Sequence, residues 1–452
     1  MSQSSRVGTE EGESIKRPSL IPAMGRWTLT AAIVNAVIGS GIFGIPSQLA
    51  ALVGPWSPLA VLLAGATMFV VILSFAEVSS RFTGPGGPYL YAREAFGPSV
   101  GFQVGWLMLL SRLLSSAAAL NIQTAYLATL IPAVATPAGR AVAMTVAVAS
   151  VTIVNVRGVR LAAWTTNVFT VAKLLPLVLL IGLAATKLSP AVMSSQVVDR
   201  ADWGQALLLL VFAYGGFEAA VVAASEARDP KRDMPFALIA ATAGVTVVYA
   251  LLQVAVIGIV PSAGAGSTPI AAALGVLLGP PGVLLASGAV ILSIYGWLTG
   301  FTLMMPRVVY SMASRGELPA PLAYVHPRFR TPALAIAVNA GLALALSLYS
   351  SFTQAAVLAA IARLLVFIAT CASALTLRRH GPAPFRVPGG QIVAALGIAF
   401  SAWLLSTRSF AQAWMLLAAM AAGLAVRAWY HPRHVHSHRD VEAEGVSGRA
   451  EP

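Results

Sequence analysis

The stretch IGSGIFGIP, Ile38 to Pro46, lies inside the first long apolar run of the chain. Gly39, Gly41 and Gly44 weaken a helix and Pro46 removes a backbone donor, at a depth where a membrane span needs its backbone hydrogen bonds most. Glycine and proline are common in membrane helices, so a packing or kink site accounts for the stretch as well as a functional break does. The choice between them depends on the rest of the chain.

Composition fixes the solvent. The 452 residues are 58% hydrophobic and 10% charged, with a mean hydropathy of +0.80, which excludes a soluble globular protein with an ordinary surface. The apolar runs are close to the roughly 20 residues that cross a bilayer and are joined by short polar or Gly/Pro-rich links. About twelve spans are expected between residues 25 and 430, flanked by an N-terminal tail, 1–24, and a His- and Arg-rich C-terminal tail, 431–452. The net charge of +13 is a matter of topology rather than of nucleic-acid binding. With the N-terminus inside, almost every cation falls on cytoplasmic links, and Arg140, Lys187, Arg200 and Arg408 are the exceptions. Both termini are therefore expected in the cytoplasm. The single cysteine, Cys371, leaves no room for a disulfide framework within the chain. His431, His434, His436 and His438 are read as tail residues rather than as a metal site.

The sixth apolar run, DWGQALLLLVFAYGGFEAAVV from Asp202, carries a second break at Tyr214, Gly215, Gly216 and Phe217, followed by an acid, Glu218. With four intact spans between the two broken ones, each repeat has an odd number of helices, so the second copy enters from the opposite face. That arrangement is expected of secondary transporters with inverted-topology repeats, whose discontinuous helices meet near the midplane and form the binding site. Unwinding exposes amides and carbonyls that an intact helix consumes. Half-helix N-termini then attract an anion, and half-helix C-termini a cation. A zwitterionic amino acid presents one of each.

GSGIF, Gly39 to Phe43, resembles the first-helix motif of the amino acid, polyamine and organocation (APC) superfamily of permeases. SFAEVSSRFTGPGGPYLYAREAFG around Glu77 resembles its second helix and first cytoplasmic loop. GGFEAAVVAASEARDPKRDMP resembles its sixth helix and the following loop, and PRVVYSMASRGELP from Pro306 the end of its eighth. The resemblance implies an all-α polytopic fold of 5+5 inverted-repeat helices with helices 1 and 6 broken, plus two extra helices. Repeat one would cover about 28–186, repeat two about 203–379 and the extra helices about 391–429. It further implies an amino-acid ligand with its carboxylate at the amides of Ser40 and Gly41. The amino group would lie near carbonyls around Val37, Ile38 and Phe212, and selectivity would come from Phe212, Tyr214 and Gly216.

Ionisable groups at membrane depth are costly and point to function, and Arg112, Lys173, Glu218 and Arg363 stand out. Lys173 lies about 20 Å along the fifth span from its start. In the resembling family a lysine there replaces a sodium ion, and in some members it is linked to proton coupling. Burial penalises charge, so such a lysine can release and regain a proton; a static cation satisfied by carbonyls is the other reading. Glu218 is a second candidate proton carrier or gate, or else a carboxyl that pins the broken helix. Phe212 is either a lid over the substrate or a packing ring. Arg112 and Arg363 match no family motif, and fit structural pairing or a bound anion. Glu77 and Arg81 form an i,i+4 pair of favourable order and are read as structural. The run EARDPKRDMP is read as a cytoplasmic loop, with a gating contact to Arg315 or Arg328 left open.

The expected function is a secondary active amino-acid transporter working by alternating access. It is expected to be sodium-independent, a proton symporter or an exchanger, in a cell (inner) membrane. No Walker sequence is present to use ATP, and no cofactor or metal is expected. An amino-acid sensor without net transport has the same sequence features. The spans lack the paired acids or histidines of an intramembrane enzyme, and a channel needs filter sequences or rings of like charge.

Overall fold

The structure is a computed structural model that describes residues 25–82, 86–157, 162–222, 228–261, 263–314, 316–329 and 331–447. The expected N-terminal tail, Arg160, Arg315, Arg330 and the first part of the loop after Glu218 lie outside the described residues. Among the described residues the regular structure is helical throughout.

The helices are α1 (Arg26–Val37), α2 (Gly41–Val53), α3 (Ser57–Ser79), α4 (Pro88–Phe96), α5 (Pro98–Ala128), α6 (Pro137–Arg157), α7 (Ala162–Ala184), α8 (Pro190–Ser194), α9 (Trp203–Tyr214) and α10 (Phe217–Val222). They continue with α11 (Pro230–Ile259), α12 (Pro269–Leu278), α13 (Pro280–Ser314), α14 (Ala333–Tyr349), α15 (Phe352–Leu377), α16 (Gly390–Ser406) and α17 (Phe410–Ser447). Proline opens many of them, at the position where a missing N–H costs nothing. Among the described residues, seven helical stretches are long and apolar enough to cross a membrane, and five apolar helices of 10–17 residues accompany them. The chain is a multi-pass membrane protein.

The centre of the bundle is made from the interrupted segments. From Ala206 to Tyr214 every residue of α9 is buried, and so is α2 from Gly41 to Ser47. A helix that is apolar and buried all round sits inside a bundle. Around this pair, α3 packs against α11, α5 against α15, and α7 against α13. At the edge, α17 turns Phe410, Trp414, Leu417 and Trp429 outward, and Trp106 and Gln103 of α5 donate to its Ala419 and Met420 carbonyls.

Two details differ from the sequence reading. The stretch between the seventh and eighth spans, expected as a link, contains α12. Its Ile270, Ala273 and Leu274 are fully buried, and Gly279, at φ +69°, turns the chain directly into α13. The second difference is the partner of Glu77. Arg81 does not take it up and donates instead to the Gly381 carbonyl at 2.9 Å. Arg378, at the end of α15, holds Glu77 through Nε at 2.6 Å and Nη2 at 2.5 Å. The planar guanidinium matches both carboxylate oxygens from across the bundle. Val387 N–H adds a third bond to Glu77 at 3.0 Å.

Replacing Arg378 by Ala leaves a buried carboxylate without its cation, and the expected loss is about 3–5 kcal/mol, read as a lowered midpoint of thermal unfolding of the purified protein in detergent. Arg81→Ala is expected to cost no more than about 1 kcal/mol. Equal losses would return Arg81 to the pairing.

Candidate functional site

The first break occupies Ile38, Gly39 and Ser40. Helix α1 ends with Ile38 N–H on the Val34 carbonyl, Gly39 N–H folds back on Val37 at 2.7 Å, and α2 starts with no side chain capping its first amides. Gly41 lets α2 approach α9 closely, since a Cβ there would stand 3.0 Å from the Ala213 backbone. The second break occupies Gly215 and Gly216. Gly215 is extended, and Gly216 has φ +124°, a conformation that side chains resist. A Cβ on Gly216 would strike the Ala36 carbonyl, and one on Gly215 the Arg363 guanidinium. The glycines let the two breaks touch each other and an arginine.

A cation meets the carbonyl end of the half-helix at each break. Lys173 of α7 donates from Nζ to Asn35 O at 2.8 Å and to Ile38 O at 3.0 Å. Arg363 of α15 donates from Nη1 to Phe212 O at 3.1 Å, with Val211 O at 3.5 Å. Both are 3% exposed. The same device appears twice: a positive side chain from a distant helix sits where the half-helix ends and its carbonyls concentrate partial negative charge.

Glu218 joins the second break to two arginines. Its Oε1 lies 2.9 Å from Arg363 Nε and 3.5 Å from Arg112 Nη2, and its Oε2 accepts from Gly216 N–H at 2.8 Å. Arg112 Nη2 is also 3.4 Å from the Gly216 carbonyl. The Glu218 carboxylate therefore holds the N–H of Gly216 and the Arg112 guanidinium its carbonyl.

These groups surround a cavity of about 20 Å³, room for a single water. Of the residues expected to bind substrate, Val37, Ser40, Gly41, Phe212 and Gly216 line it. Ile38 and Tyr214 do not. The Ile38 carbonyl serves Lys173, while the Tyr214 hydroxyl donates to Val61 O at 3.1 Å and its ring packs on Tyr249. Lys173 and Glu218 stand behind the wall, touching the breaks rather than the cavity. Arg112 and Arg363, which matched no motif, are both in the lining. Sequence reasoning did not select Ser115, Trp297 or Tyr249. Ser115 follows Arg112 by three residues on one helix face, a usable signal. Trp297 reaches the cavity from α13 and offered none. Tyr249 donates to Val37 O and Ala213 O, at 3.2 and 3.1 Å, and so ties the two half-helices together.

A second cavity, of about 340 Å³, opens beside the first and is lined by Gln48, Asn121, Thr124, Arg140, Phe352 and Thr353 among others. Phe212, in the wall of the small cavity, meets Phe352, in the wall of the large one, edge to face at 6.1 Å. Among the described residues no group of His, Cys, Asp and Glu is arranged to hold a metal ion.

A family model described as amino acid permease matches residues 24–424. The chain is similar to a serine/threonine exchanger of Bacillus subtilis, 28% identical over 71% of this chain and 75% of the other. It is also similar to a branched-chain amino acid permease of the same organism, 25% identical over 95% and 96%, and to an arginine/agmatine antiporter of Chlamydia abortus, 26% identical over 89% and 88%.

Gly215→Ala forces the Arg363 guanidinium off the Phe212 carbonyl and Gly41→Val forces the two breaks apart. Both variants are expected to insert in the membrane and to lose substrate binding by about tenfold or more, measured on purified protein with labelled amino acids. Normal affinity in either would remove that break from the site.

Proposed function

The chain belongs to the amino acid permease family, and on that premise we propose that it is a sodium-independent secondary active amino-acid transporter working by alternating access, as a proton symporter or an exchanger. The observation that carries this reading is that two helix breaks remote from each other in the chain form the walls of one cavity, each with its carbonyl end held by a side-chain cation. In the proposal the fold is two inverted five-helix repeats plus two further helices, with both termini cytoplasmic. Lys173 then serves the first helix of its own repeat as Arg363 serves the sixth.

The chemistry follows from that placement. A carbonyl cluster at a half-helix end is what a sodium ion would otherwise fill; with Lys173 and Arg363 in place the carbonyls are satisfied without an external ion. Lysine can give up its proton in a dry interior, whereas arginine does not. Lys173 is therefore proposed as the coupling group and Arg363 as a fixed clamp. The substrate carboxylate is assigned to the uncapped amides at Ser40 and Gly41, where the α2 dipole also favours an anion. Phe212, resting on Phe352 between the small cavity and the large one, is proposed as the lid. With both termini inside, the large cavity faces the exterior.

Uptake of labelled amino acids into proteoliposomes, with and without an inward proton gradient, is the test. Accumulation or exchange that is unchanged when sodium is replaced by choline is expected, and absence of both for every amino acid would overturn the proposal. Lys173→Ala is expected to abolish gradient-driven accumulation while some binding remains. Accumulation with an unaltered pH dependence in that variant would exclude Lys173 from coupling.

A further inference from the structure

We propose that the cavity of about 340 Å³ is a second, outer binding site for the transported amino acid, with the ligand carboxylate on Arg140 and its ammonium at the end of α5. The inference rests on the transport reading above and adds a station outside the site between the breaks.

Room is the first ground. The cavity between the breaks holds about 20 Å³, less than an amino acid needs, whereas small-molecule sites begin at about 300 Å³. The outer cavity has that size as it stands. Phe352 lines it and meets Phe212 edge to face at 6.1 Å. An occupant therefore stands across that ring pair from Ser40 and Gly41.

The receptor for the carboxylate is Arg140, in the first turn of α6. Its Nη2 is held by the Asn121 side chain, by Ser350 O at 3.1 Å and by Ser347 O at 3.4 Å. All of those acceptors are neutral, so the bonds fix the guanidinium in place without answering its charge. Among the described residues Arg140 forms no ion pair, and no Asp or Glu lines the cavity. The N–H donors of Nε and Nη1 take up no protein acceptor among the described residues. A charged, positioned group with donors to spare is what an incoming carboxylate requires.

The receptor for the ammonium is the last turn of α5, which carries the partial negative charge of a helix C-terminus. Ala125 and Ala128 of that turn line the cavity. Helical bonding would give Ala128 O the N–H of residue 132, and Pro132 has none. Thr129 N–H, the corresponding donor for Ala125 O, goes to Tyr126 O at 3.3 Å instead. Between the guanidinium and this carbonyl end, Ile122, Val134 and Phe352 supply apolar wall for a side chain. The cavity thus offers one receptor for each end of a zwitterion.

The probe is the labelled amino acid, among those found in proteins, that proteoliposomes of the full chain take up fastest. Its equilibrium binding to the purified chain is expected to show two components. Water screens the outer site more than the inner one, so the outer component is expected to be weaker by about tenfold. Gly41→Val is expected to remove the tight component and keep the weak one, and Arg140→Gln to do the reverse. Ala128→Phe fills the outer cavity and leaves Arg140 its bonds; it is expected to match Arg140→Gln, and it decides where that variant does not fold. A single component in the wild type, or loss of both components together in Ala128→Phe, overturns the outer site and leaves the transport reading standing. Uptake of no amino acid of any class overturns the transport reading itself, and the outer site with it.

Discussion

A helix broken inside a membrane leaves carbonyls that water cannot reach, and something positive has to meet them. In this protein Lys173 and Arg363 do so, one at each break, and the rest of the central architecture follows. Both cations come from helices remote in sequence, so the distances Lys173 Nζ to Ile38 O, 3.0 Å, and Arg363 Nη1 to Phe212 O, 3.1 Å, tie α7 to α1 and α15 to α9. Without Lys173 the Asn35 and Ile38 carbonyls would lose the buried donor that meets them, a cost of several kcal/mol. With both cations the breaks are stable enough to persist.

The two cations differ in what they permit. Arginine is a permanent charge with a planar fork, and Arg363 uses that fork to reach Phe212, Glu218 and the Ser115 hydroxyl together. Lysine is a point charge that can leave as a neutral amine. A pair built this way has one member whose charge is fixed and one whose charge is not. Glu218 links the fixed member to Arg112 and to the Gly216 amide, so any ligand that changes the balance of charge around Arg112 acts on the second break directly.

Much of the fold is legible in the sequence alone, and the reason is solvent. The bilayer demands long apolar helices, so spans, links and the two glycine breaks show in composition and pattern. The site is legible in part. Ser40, Gly41, Phe212 and Gly216 line the cavity because a break advertises itself by glycine, and its neighbours follow along the chain. Tyr214 differs from its expected direction: one residue before the break, the helix turns its side chain toward Val61 and Tyr249, away from the cavity. Arg112 and Arg363 are visible as charges at depth, yet their partners are not. Glu77 shows the same limit at the edge of the bundle, where a favourable local pairing with Arg81 loses to a bidentate one with Arg378 from another helix.

Periodicity and composition are sufficient for class, for approximate spans and for the location of both breaks, because each of these is a local response of the chain to a lipid environment. Pairing is settled only by packing. Which carbonyl Lys173 meets, that Glu218 lies between two arginines 106 residues and 145 residues away in the chain, and that Phe212 rests on Phe352 are facts about helices brought within a few ångströms of each other. Hydrogen bonds and ion pairs act over about 3 Å, and no pattern along a sequence records which remote segments come that close.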